Sequence, residues 1–544
     1  MLLSVKNTTC LNSGMAATFL VGAQADILYH VLSHLATDLP VQNGGSVPFL
    51  WRSLPSQSVL EHLLCVLEIA QKPPKKHQWH HPQMELCGEG GGDDSSWTRF
   101  QEYASLVQKI SINPFVHTSM KLDSFWPKLL AVRASGSTPI LPRLEVVTLF
   151  SPDSFQYCAF DMGTLCLLNP SIRELNIVFS TTTPELDNGL RRALTACLSS
   201  PQDLKVLSLE VPIRIMDIET LPRLHSGLCQ FKLDRRLCIH PDQLTLLASL
   251  PNLERLSFNL SPWDPTRPVA FKELRDLEVF SSDLAAIGSL LTHMDAPRLH
   301  SFSFSETQRD KWGVGKFRAK DLPAHLQTLA TKWPALTAFE WHCNRPPAAA
   351  DVDTSVGREA GRSEPLAALL APLLSLRALR SFAAHFYSFV VPYAPADFRA
   401  LAAAWPALES FRLCDDRARG MHPGDLGALV AFARGCPRLH TLHFPVLRFD
   451  PARDSDVASI AAVRQLEVER LGAAGSGGAH WLRELKVRYV IFPGLRREGE
   501  VDGTAATAAL LQECMRKLFP SATLRYSATT ASRVYYRKIS GSLD

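Results

Sequence analysis

The chain has 544 residues, of which 46% are hydrophobic and 20% are charged, and its formal net charge at pH 7 is +4. This length accommodates several domains or one long repeat array, and the apolar fraction is enough for a full core. The nearly balanced charge, without a basic stripe interleaved with aromatic residues, argues against a nucleic-acid-binding protein. The twelve cysteines form no Cys-x-x-Cys pair, which is typical of reduced thiols in a cytoplasmic or nuclear protein. We expect no membrane-spanning segment, because the most apolar stretch, residues 365–376, is short and contains Pro372.

Residues 1–70 are predicted to form a helical region. Residues 25–35 have an amphipathic pattern that places five apolar side chains on one side of a helix: Ile27, Leu28, Val31, Leu32 and Leu35. Residues 71–96 are rich in Pro, Gly and charge, so we expect a flexible linker there. Residues 97–140 begin with the helical pattern WTRFQEYASLVQKI and are predicted to be a helical lead-in to the rest of the chain.

Two patterns within residues 71–96 contain residue types that occur in metal sites or phosphate-binding loops. His77, His80, His81 and Cys87 are zinc-ligand residue types, but their spacing matches no standard zinc motif, and a solvated loop is the simpler interpretation. Residues 88–94, GEGGGDD, lack the Lys-Ser/Thr ending of a phosphate-binding loop and carry two acids that repel phosphate. No nucleophile motif is present elsewhere. The sequence therefore predicts no metal, no cofactor and no enzyme active site.

One short phrase recurs seven times between residues 141 and 540. It consists of a proline followed by apolar residues two, five and seven positions later, and about one copy would be expected by chance. The copies begin at Pro142, Pro170, Pro251, Pro297, Pro334, Pro406 and Pro437. The last two apolar positions are two apart, as in a strand, and the proline precedes the strand, where its missing N–H removes no ladder hydrogen bond. Each phrase therefore predicts one strand.

Helical patterns alternate with these strands. They occupy residues 240–250, 283–294, 397–405 and 424–436, and looser copies of the apolar core, such as those at residues 204–209 and 463–468, lie between the strong ones. One strand and one helix in every 20 to 40 residues or so is typical of leucine-rich repeats. The predicted fold is an α/β leucine-rich-repeat solenoid, curved, with parallel strands inside and helices outside. The alternative is a doubly wound α/β domain, which usually carries a Gly-rich phosphate loop after a strand.

Two further segments complete the predicted repeat array, which covers residues 141–540. Residues 344–364 are predicted to be a disordered insertion, because they combine Pro, Ala, Gly and charged residues without a repeat phrase. Residues 504–519 are predicted to be a last helix that caps the array, and a strand-like tail follows them.

The repeat pattern also predicts a binding surface. In each phrase the residues before, between and after the last two apolar positions face the inner, concave side of the solenoid. We expect this face to include Arg255, Asn259, Glu278, Phe280, Glu340, His342, Arg412 and His443. Phe280 and Arg412 are the preferred anchors by residue type, because aromatic residues and arginine are enriched among energetically dominant contacts. The mixed polar, charged and small residues of this face favour a protein partner over a nucleic acid.

Four segments together resemble the fungal F-box proteins with leucine-rich repeats. Residues 26–35, DILYHVLSHL, are similar to the first helix of an F-box, and residues 48–56, PFLWRSLPS, resemble the phrase at its end. The segment WTRFQEYASLVQKI resembles the helix that often follows, and the irregular repeats fill the remainder. The F-box is degenerate or truncated, because residues 36–47 are shorter than the corresponding part of the family.

The resemblance implies a function. In the family, the F-box docks on a Skp-type adaptor of a cullin–RING ubiquitin ligase. Here the matching adaptor-binding positions are Ile27, Leu28, Val31, Leu32, Leu35, Leu50 and Trp51. The repeat array would hold a protein substrate, so the chain is expected to be a non-enzymatic substrate-recognition subunit. The alternative is a leucine-rich-repeat scaffold that binds a protein partner without a ligase. A third hypothesis is a hydrolase or transferase on an α/β fold, which a deep pocket with converging acid and base groups would favour.

Overall fold

The computed structural model describes the greater part of the chain. The described residues are 51–71, 85–87, 94–113, 115–117, 125–133, 139–150, 158–160, 162–178, 195, 198–199, 201, 203–210, 221–235, 238–260, 268–281, 283–307, 322–343, 365–386, 391–414, 424–472, 482–492 and 501–530. Two compact units can be distinguished, Met1–Leu237 with Ser249–Leu253 and Cys238–Ala248 with Glu254–Asp544. The predicted helix at residues 25–35, the insertion at residues 344–364 and most of the linker lie outside the described residues.

The first unit contains a parallel sheet whose strands follow one another in chain order, β1-β4-β6-β8-β9-β10. Two antiparallel pairs, β2 with β3 and β5 with β7, accompany it. The strands are β1 (Ser53–Leu54), β2 (Ala70–Gln71), β3 (Glu85–Leu86), β4 (Lys109–Ile112), β5 (Phe115–His117), β6 (Val146–Phe150), β7 (Cys158–Phe160), β8 (Glu174–Val178), β9 (Val206–Glu210) and β10 (Gln230–Leu233). The helices are α1 (Ser58–Val66), α2 (Asp94–Ala104), α3 (Phe125–Arg133), a 3-10 helix (Met162–Leu167) and α4 (Leu221–Leu224).

The second unit contains a longer parallel sheet, in the order β12-β14-β16-β17-β18-β19-β20-β21-β22, with β11 paired to β12 and a separate pair of β13 with β15. Its strands are β11 (Cys238–Ile239), β12 (Arg255–Leu260), β13 (Val269–Ala270), β14 (Asp276–Ser281), β15 (Met294–Asp295), β16 (Ser301–Glu306), β17 (Ala338–Cys343), β18 (Ser381–Phe386), β19 (Ser410–Cys414), β20 (Thr441–Arg448), β21 (Glu484–Phe492) and β22 (Thr523–Thr530). Its helices are α5 (Pro241–Ala248), α6 (Leu284–His293), α7 (Leu322–Lys332), α8 (Leu366–Leu369), a 3-10 helix (Ala371–Ser375), α9 (Pro395–Ala404), α10 (Leu426–Gly435), α11 (Asp454–Gly472) and α12 (Val501–Leu518).

The strand order identifies the fold class. In the main sheet of each unit every strand lies beside the next one in chain order and parallel to it. A doubly wound domain would instead reverse its strand order at a switch point. Parallel strands added one repeat at a time, with helices between them in sequence, are the arrangement of a leucine-rich-repeat protein. The predicted α/β leucine-rich-repeat fold is confirmed.

The proline phrase sets the start of each strand. In all seven copies the strand begins four residues after the proline, as Ser410 of β19 follows Pro406 and Thr441 of β20 follows Pro437. A backbone ladder begins just before this point. The carbonyl of Arg380, for example, accepts hydrogen bonds from the N–H groups of Glu409 at 2.7 Å and Ser410 at 2.9 Å. Such paired bonds fix the register between neighbouring repeats.

The inner apolar positions of the phrase form continuous rows in the core. In the second unit one row consists of Leu256, Leu277, Phe302, Phe339, Phe382, Phe411, Leu442 and Leu485, all buried. The rings of Phe339 and Phe382 stack at a centroid distance of 5.8 Å, and those of Phe382 and Phe411 stack at 5.3 Å. Because each ring fills the space between two repeats, one repeat's core is completed by its neighbours.

Several helices begin at a side chain that satisfies their free N–H groups. The carboxylate of Asp283 accepts the N–H of Ala285 at 2.9 Å at the start of α6, and that of Asp425 accepts the N–H of Ala428 at 2.9 Å at the start of α10. Such caps stabilise a helix by about 1 kcal/mol. The helical predictions at residues 283–294 and 424–436, both of which contain these aspartates, are confirmed. Among the described helices none is long and apolar enough to cross a membrane.

Two details of the prediction were wrong. The parallel sheet includes β1 and β4, so strands are present in the segments expected to be helical upstream of residue 141. The looser apolar core of Val463, Leu466 and Val468 lies within helix α11. A spacing of three residues suits a helix as well as the start of a repeat, and the surrounding Ala, Arg, Gln and Glu residues favour the helix.

Candidate functional site: the polar face of the second unit

The outward positions of the second sheet form a row that we call the charged row. It runs across eight neighbouring strands, β14 to β22, and each residue is paired in register with the next. Its members are Glu278, Ser303, Glu340, Ala383, Arg412, His443, Lys486 and Arg525. These residues alternate along each strand with the buried apolar rows, so strand geometry directs them to the opposite face of the sheet, where Ala383 alone among the eight is buried.

The acidic members of the charged row accept hydrogen bonds from hydroxyl groups on the preceding strand of the sheet. The Ser257 hydroxyl donates a hydrogen bond to Oε2 of Glu278 at 2.7 Å, and the Ser303 hydroxyl donates to Oε2 of Glu340 at 3.3 Å. A carboxylate that accepts a hydroxyl keeps its orientation, and its second oxygen can still accept another donor. Glu278 is half-buried, and Glu340 is similar.

A pair of histidines lies beside Glu340. Nε2 of His342 is 2.6 Å from Oε1 of Glu340, and the rings of His342 and His385 on adjacent strands are 4.2 Å apart between centroids. The hydrogen bond from His342 lowers the pKa of Glu340. Burial lowers the pKa of His385 to about 4, and the nearby His342, Arg412 and His443 add to the effect. His385 is therefore neutral near pH 7.

The basic members of the charged row follow on β19 to β22. Arg412, Lys486 and Arg525 are exposed, and His443 is half-buried. Burial lowers the pKa of His443, an effect that Glu484 opposes and that Lys486 and Arg412 reinforce. Glu484 is the nearest acid: its carboxylate lies 3.4 Å from Nε2 of His443 and 4.0 Å from Nη1 of Arg525. These are ion-pair distances longer than a strong hydrogen bond.

The arrangement is suited to binding. Within the described residues no group of three or more His, Cys, Asp or Glu side chains is placed to hold a metal ion. The charged groups stand on rigid neighbouring strands and point in one direction, which fixes their positions relative to one another. A row of fixed donors and acceptors recognises a complementary polar surface by ion pairs and hydrogen bonds.

The predicted face residues are only partly brought together. Glu278, Glu340, Arg412 and His443 belong to the charged row, and His342 lies next to it. Arg255 is exposed on β12. All of these lie on the same face of the second sheet.

Two predicted face residues are not accessible. Phe280, expected as an anchor, is 1% exposed, and so is Asn259. Both occupy the position after the last apolar residue, near the carboxyl end of their strands. After Phe280 the chain turns at Ser281, whose hydroxyl donates to the carbonyls of Leu260 at 3.4 Å and Asp283 at 3.1 Å, and α6 begins at once. Burial of the phenyl ring beneath this turn lowers the free energy of the folded state, so Phe280 contributes to the core.

The predicted adaptor-binding residues are mostly outside the described part. Ile27, Leu28, Val31, Leu32, Leu35 and Leu50 belong to that group, and so do His77, His80 and His81 of the considered zinc pattern. Trp51 is described, and it is 2% exposed, with its ring 5.0 Å from that of Tyr103 between centroids. A large aromatic side chain next to α2 is more stable in the core of the first unit than in water, which leaves it little surface for an adaptor.

The sequence prediction missed two members of the site. His385 and Arg525 were not placed on the predicted face, although each is flanked by the apolar residues of a strand. His385 follows a looser copy of the repeat core, and Arg525 lies in the strand-like tail. The alternation of polar and apolar residues was the available signal, and the register with neighbouring strands was needed to use it.

Comparisons with known proteins add little to this geometry. No family model matches the chain, and no curated protein matches it. Among solved structures, a leucine-rich-repeat protein, LegL7 from Legionella pneumophila, is similar at 11% sequence identity with a TM-score of 0.28. The match covers 72% of this chain and 96% of that protein. Since this similarity is low, the fold assignment rests on the strand order and register described above.

Proposed function

We propose that this chain is a repeat scaffold that binds a protein partner on the polar face of the second unit, and that it is not an enzyme. The observation that carries the proposal is the charged row, in which seven of eight registered side chains are polar and lie on the face opposite a buried apolar core. A sheet with one apolar face buried and one polar face presented on rigid strands is well suited to recognition, because little conformational entropy is lost on binding.

Site-specific photo-crosslinking tests this proposal. A photo-reactive benzoylphenylalanine is placed at Ser410, which lies on the polar face in β19, and in a second protein at Val457, which is exposed on α11. Each full-length chain is irradiated in extract of the source organism, and adducts are identified by mass spectrometry after a denaturing wash. We expect one protein to crosslink from the Ser410 position and not from the Val457 position. Equal labelling from both positions, or none from either, would contradict the proposal.

We further propose that the partner is a substrate of a ubiquitin ligase. This finer function is supported by the resemblance of residues 26–35 and 48–56 to an F-box, which implies docking on a Skp-type adaptor and a cullin. The nine described cysteines are free thiols, which is compatible with the proposed cytoplasmic or nuclear location.

Adaptor binding has its own test. The full chain is co-expressed with a Skp-type adaptor and analysed by size-exclusion chromatography. We expect co-elution of the two proteins, and we expect the double substitution Leu28→Asp and Val31→Asp to abolish it, because a charge on the predicted docking side is costly to bury. A matched control carries His30→Asp and Ser33→Asp at polar positions on the opposite side of the same predicted helix. A folded chain that never co-elutes would refute the ligase assignment and leave the scaffold proposal standing.

A further inference from the structure

Charge is segregated along the charged row. From β14 to β22 the side chains read acid, Ser, acid, Ala, and then Arg412, His443, Lys486 and Arg525. Because burial lowers the pKa of His443, its ring is neutral near pH 7, and the three cations are Arg412, Lys486 and Arg525. Lys486 and Arg525 are in register on adjacent strands, where side chains are about 5 Å apart and like charges repel each other. An acidic ligand over these two residues would relieve the repulsion.

The cationic end is only partly neutralised within the protein. Glu484 reaches His443 and Arg525, at 3.4 Å and 4.0 Å. No described residue forms an ion pair with Arg412 or Lys486, both of which are exposed. Two cations on β19 and β21 are thus left for a ligand to neutralise.

The residues beside the charged row leave room for a bound chain. The neighbouring outward row begins each strand, and from β16 to β20 it consists of small or hydroxyl side chains: Ser301, Ala338, Ser381, Ser410 and Thr441. Its members on β14 and β21 are Asp276 and Glu484. A polypeptide backbone could pass above these residues without a steric barrier, with its side chains over the charged row.

The length of the row sets the length of the ligand. Seven steps between neighbouring strands separate Glu278 from Arg525, which at about 4.8 Å each gives about 34 Å. An extended polypeptide of about ten residues covers this distance. The row is thus a match for a single extended segment laid across the strands.

We propose that the site takes an extended segment of the partner protein with divided charge, basic residues over Glu278 and Glu340 and acidic residues over Arg412, Lys486 and Arg525. This inference rests on the proposed function and specifies the chemistry of the partner. Complementary charges would give the segment one orientation across the sheet and would reject segments of the opposite polarity.

A nucleic acid fits the row less well. Its backbone carries a phosphate at every nucleotide, whereas the row has cations on only three of its eight strands and carboxylates at Glu278 and Glu340, with Glu484 beside it. Uniform negative charge along 34 Å or so would face two acids at one end. A polypeptide can change the sign of its charge along its length, as the row does.

The test uses two synthetic peptides of identical composition. The block peptide has four Glu, a Gly-Ser-Gly-Ser spacer and four Lys, and the alternating peptide has the same residues with Glu and Lys interleaved. Both are labelled with fluorescein, and binding to the full chain is measured by fluorescence anisotropy at low salt. We expect the block peptide to bind at least tenfold more tightly than the alternating peptide, and its affinity to fall steeply with added salt.

Variants of the full chain locate the binding. The double substitution Arg412→Glu and Lys486→Glu should weaken the block peptide at least tenfold. The control, Arg434→Glu and Arg438→Glu, makes the same change in net charge at exposed positions outside the row and should change affinity less than twofold. The milder Arg412→Gln and Lys486→Gln variant, with circular dichroism, guards against a folding defect and should also weaken binding.

The possible outcomes separate this inference from the proposed function. Three results would each overturn the proposal of a ligand with divided charge. They are equal affinity for the two peptides, no binding at about millimolar peptide, and unchanged affinity of the Arg412→Glu and Lys486→Glu variant for the block peptide. Displacement of the block peptide by a single-stranded oligonucleotide of twelve nucleotides at equal concentration would also overturn the proposal and would identify the charged row as a nucleic-acid-binding site. If crosslinking from Ser410 still captures a protein in any of these cases, the scaffold function stands without this inference.

Discussion

Gly435 shows how closely two helices of the second unit approach each other. It ends α10, and a Cβ atom at this position would lie 2.7 Å from the carbonyl oxygen of Ala402 in α9. Because the obstacle is backbone, a rotamer change cannot relieve it, and the helices must move apart. We expect Gly435→Ala to lower the free energy of unfolding by about 1–3 kcal/mol, measured by chemical denaturation.

Gly227 is the matched control for this prediction. A Cβ atom there would meet Nζ of Lys205 at 3.0 Å and Oδ1 of Asp203 at 3.3 Å, which are the ends of two flexible side chains. These ends can swing aside, so Gly227→Ala should change stability by less than about 0.5 kcal/mol. Similar losses for both variants would show that the contact with Ala402 is not the cause.

The lowered pKa of His385 makes the free energy of unfolding depend on pH. Its pKa in the folded protein is about 4, against 6.5 for the free side chain, chiefly because burial disfavours the charged ring. Between these two values the unfolded chain holds a proton that the folded chain does not, so the free energy of unfolding falls as the pH is lowered. We expect His385→Gln to lose less stability than the original chain when the pH falls from about 7 to about 5.

The comparison is made by urea denaturation across that pH range. His300→Gln serves as a control, because it makes the same substitution at an exposed histidine just before a strand. Burial also lowers the pKa of His225 and of His443, so both variants retain part of the loss. Identical slopes for the His385 variant and the original chain would mean that His385 titrates alike in both states.

At the scale of the structural element, the buried apolar row that runs from Leu256 to Leu485 holds neighbouring repeats together. Phe382 is fully buried in β18 and stacks on Phe339, Phe411 and Trp405, with the Trp405 ring 5.0 Å away between centroids. Phe382→Ala removes the ring from between two repeats and should cost about 3–5 kcal/mol of unfolding free energy. The neighbouring, half-exposed Ser381→Ala should change it by less than about 0.5 kcal/mol, as followed by thermal unfolding.

A smaller loss of stability for Phe382→Ala than predicted would indicate how the neighbouring repeats respond to the missing ring. A loss below about 1 kcal/mol for Phe382→Ala would show that the two adjacent repeats collapse onto the vacated space. Phe382→Leu removes fewer atoms and should give an intermediate loss. The order Ser381→Ala, Phe382→Leu, Phe382→Ala is thus the expected ranking from least to most destabilising.

Much of this element-scale architecture was predictable from the sequence. The proline phrase identified seven strands of the two sheets, because a proline four residues before a strand combines with apolar residues that must share one face. The phrase could not distinguish the i, i+3 spacing of a repeat from that of a helix, so Val463 and Leu466 were assigned to a strand. It also could not detect β1, which has only two residues.

The binding site was less predictable than the fold. Alternation along one strand indicates which residues leave the core, as it did for Glu340 and Arg412. It does not indicate which outward positions a following turn will cover, and so Phe280 was expected to be exposed. The charged row depends on register between strands up to some 40 residues apart, which no single phrase contains.

At the scale of the whole molecule, the chain-ordered topology has a consequence for cooperativity. In such an array each repeat contacts only its neighbours, so stability is a sum of local and nearest-neighbour terms. A defect should then loosen the repeats around it more than distant ones. A single closed domain would instead lose protection everywhere at once.

Hydrogen exchange with mass spectrometry tests this in the full chain. In the Phe382→Ala variant we expect the fastest increase in amide exchange in β17, β18 and β19, a smaller increase in β12 and β14, and the least in β6 and β8 of the first unit. Leu175→Ala is the matched variant, because Leu175 is fully buried in β8 between Val147 and Leu207. Its increases should centre on β6 to β9 and diminish toward β12 and β14. If both variants accelerate exchange equally in all strands, the chain unfolds as one cooperative body, and additivity between repeats does not describe its stability.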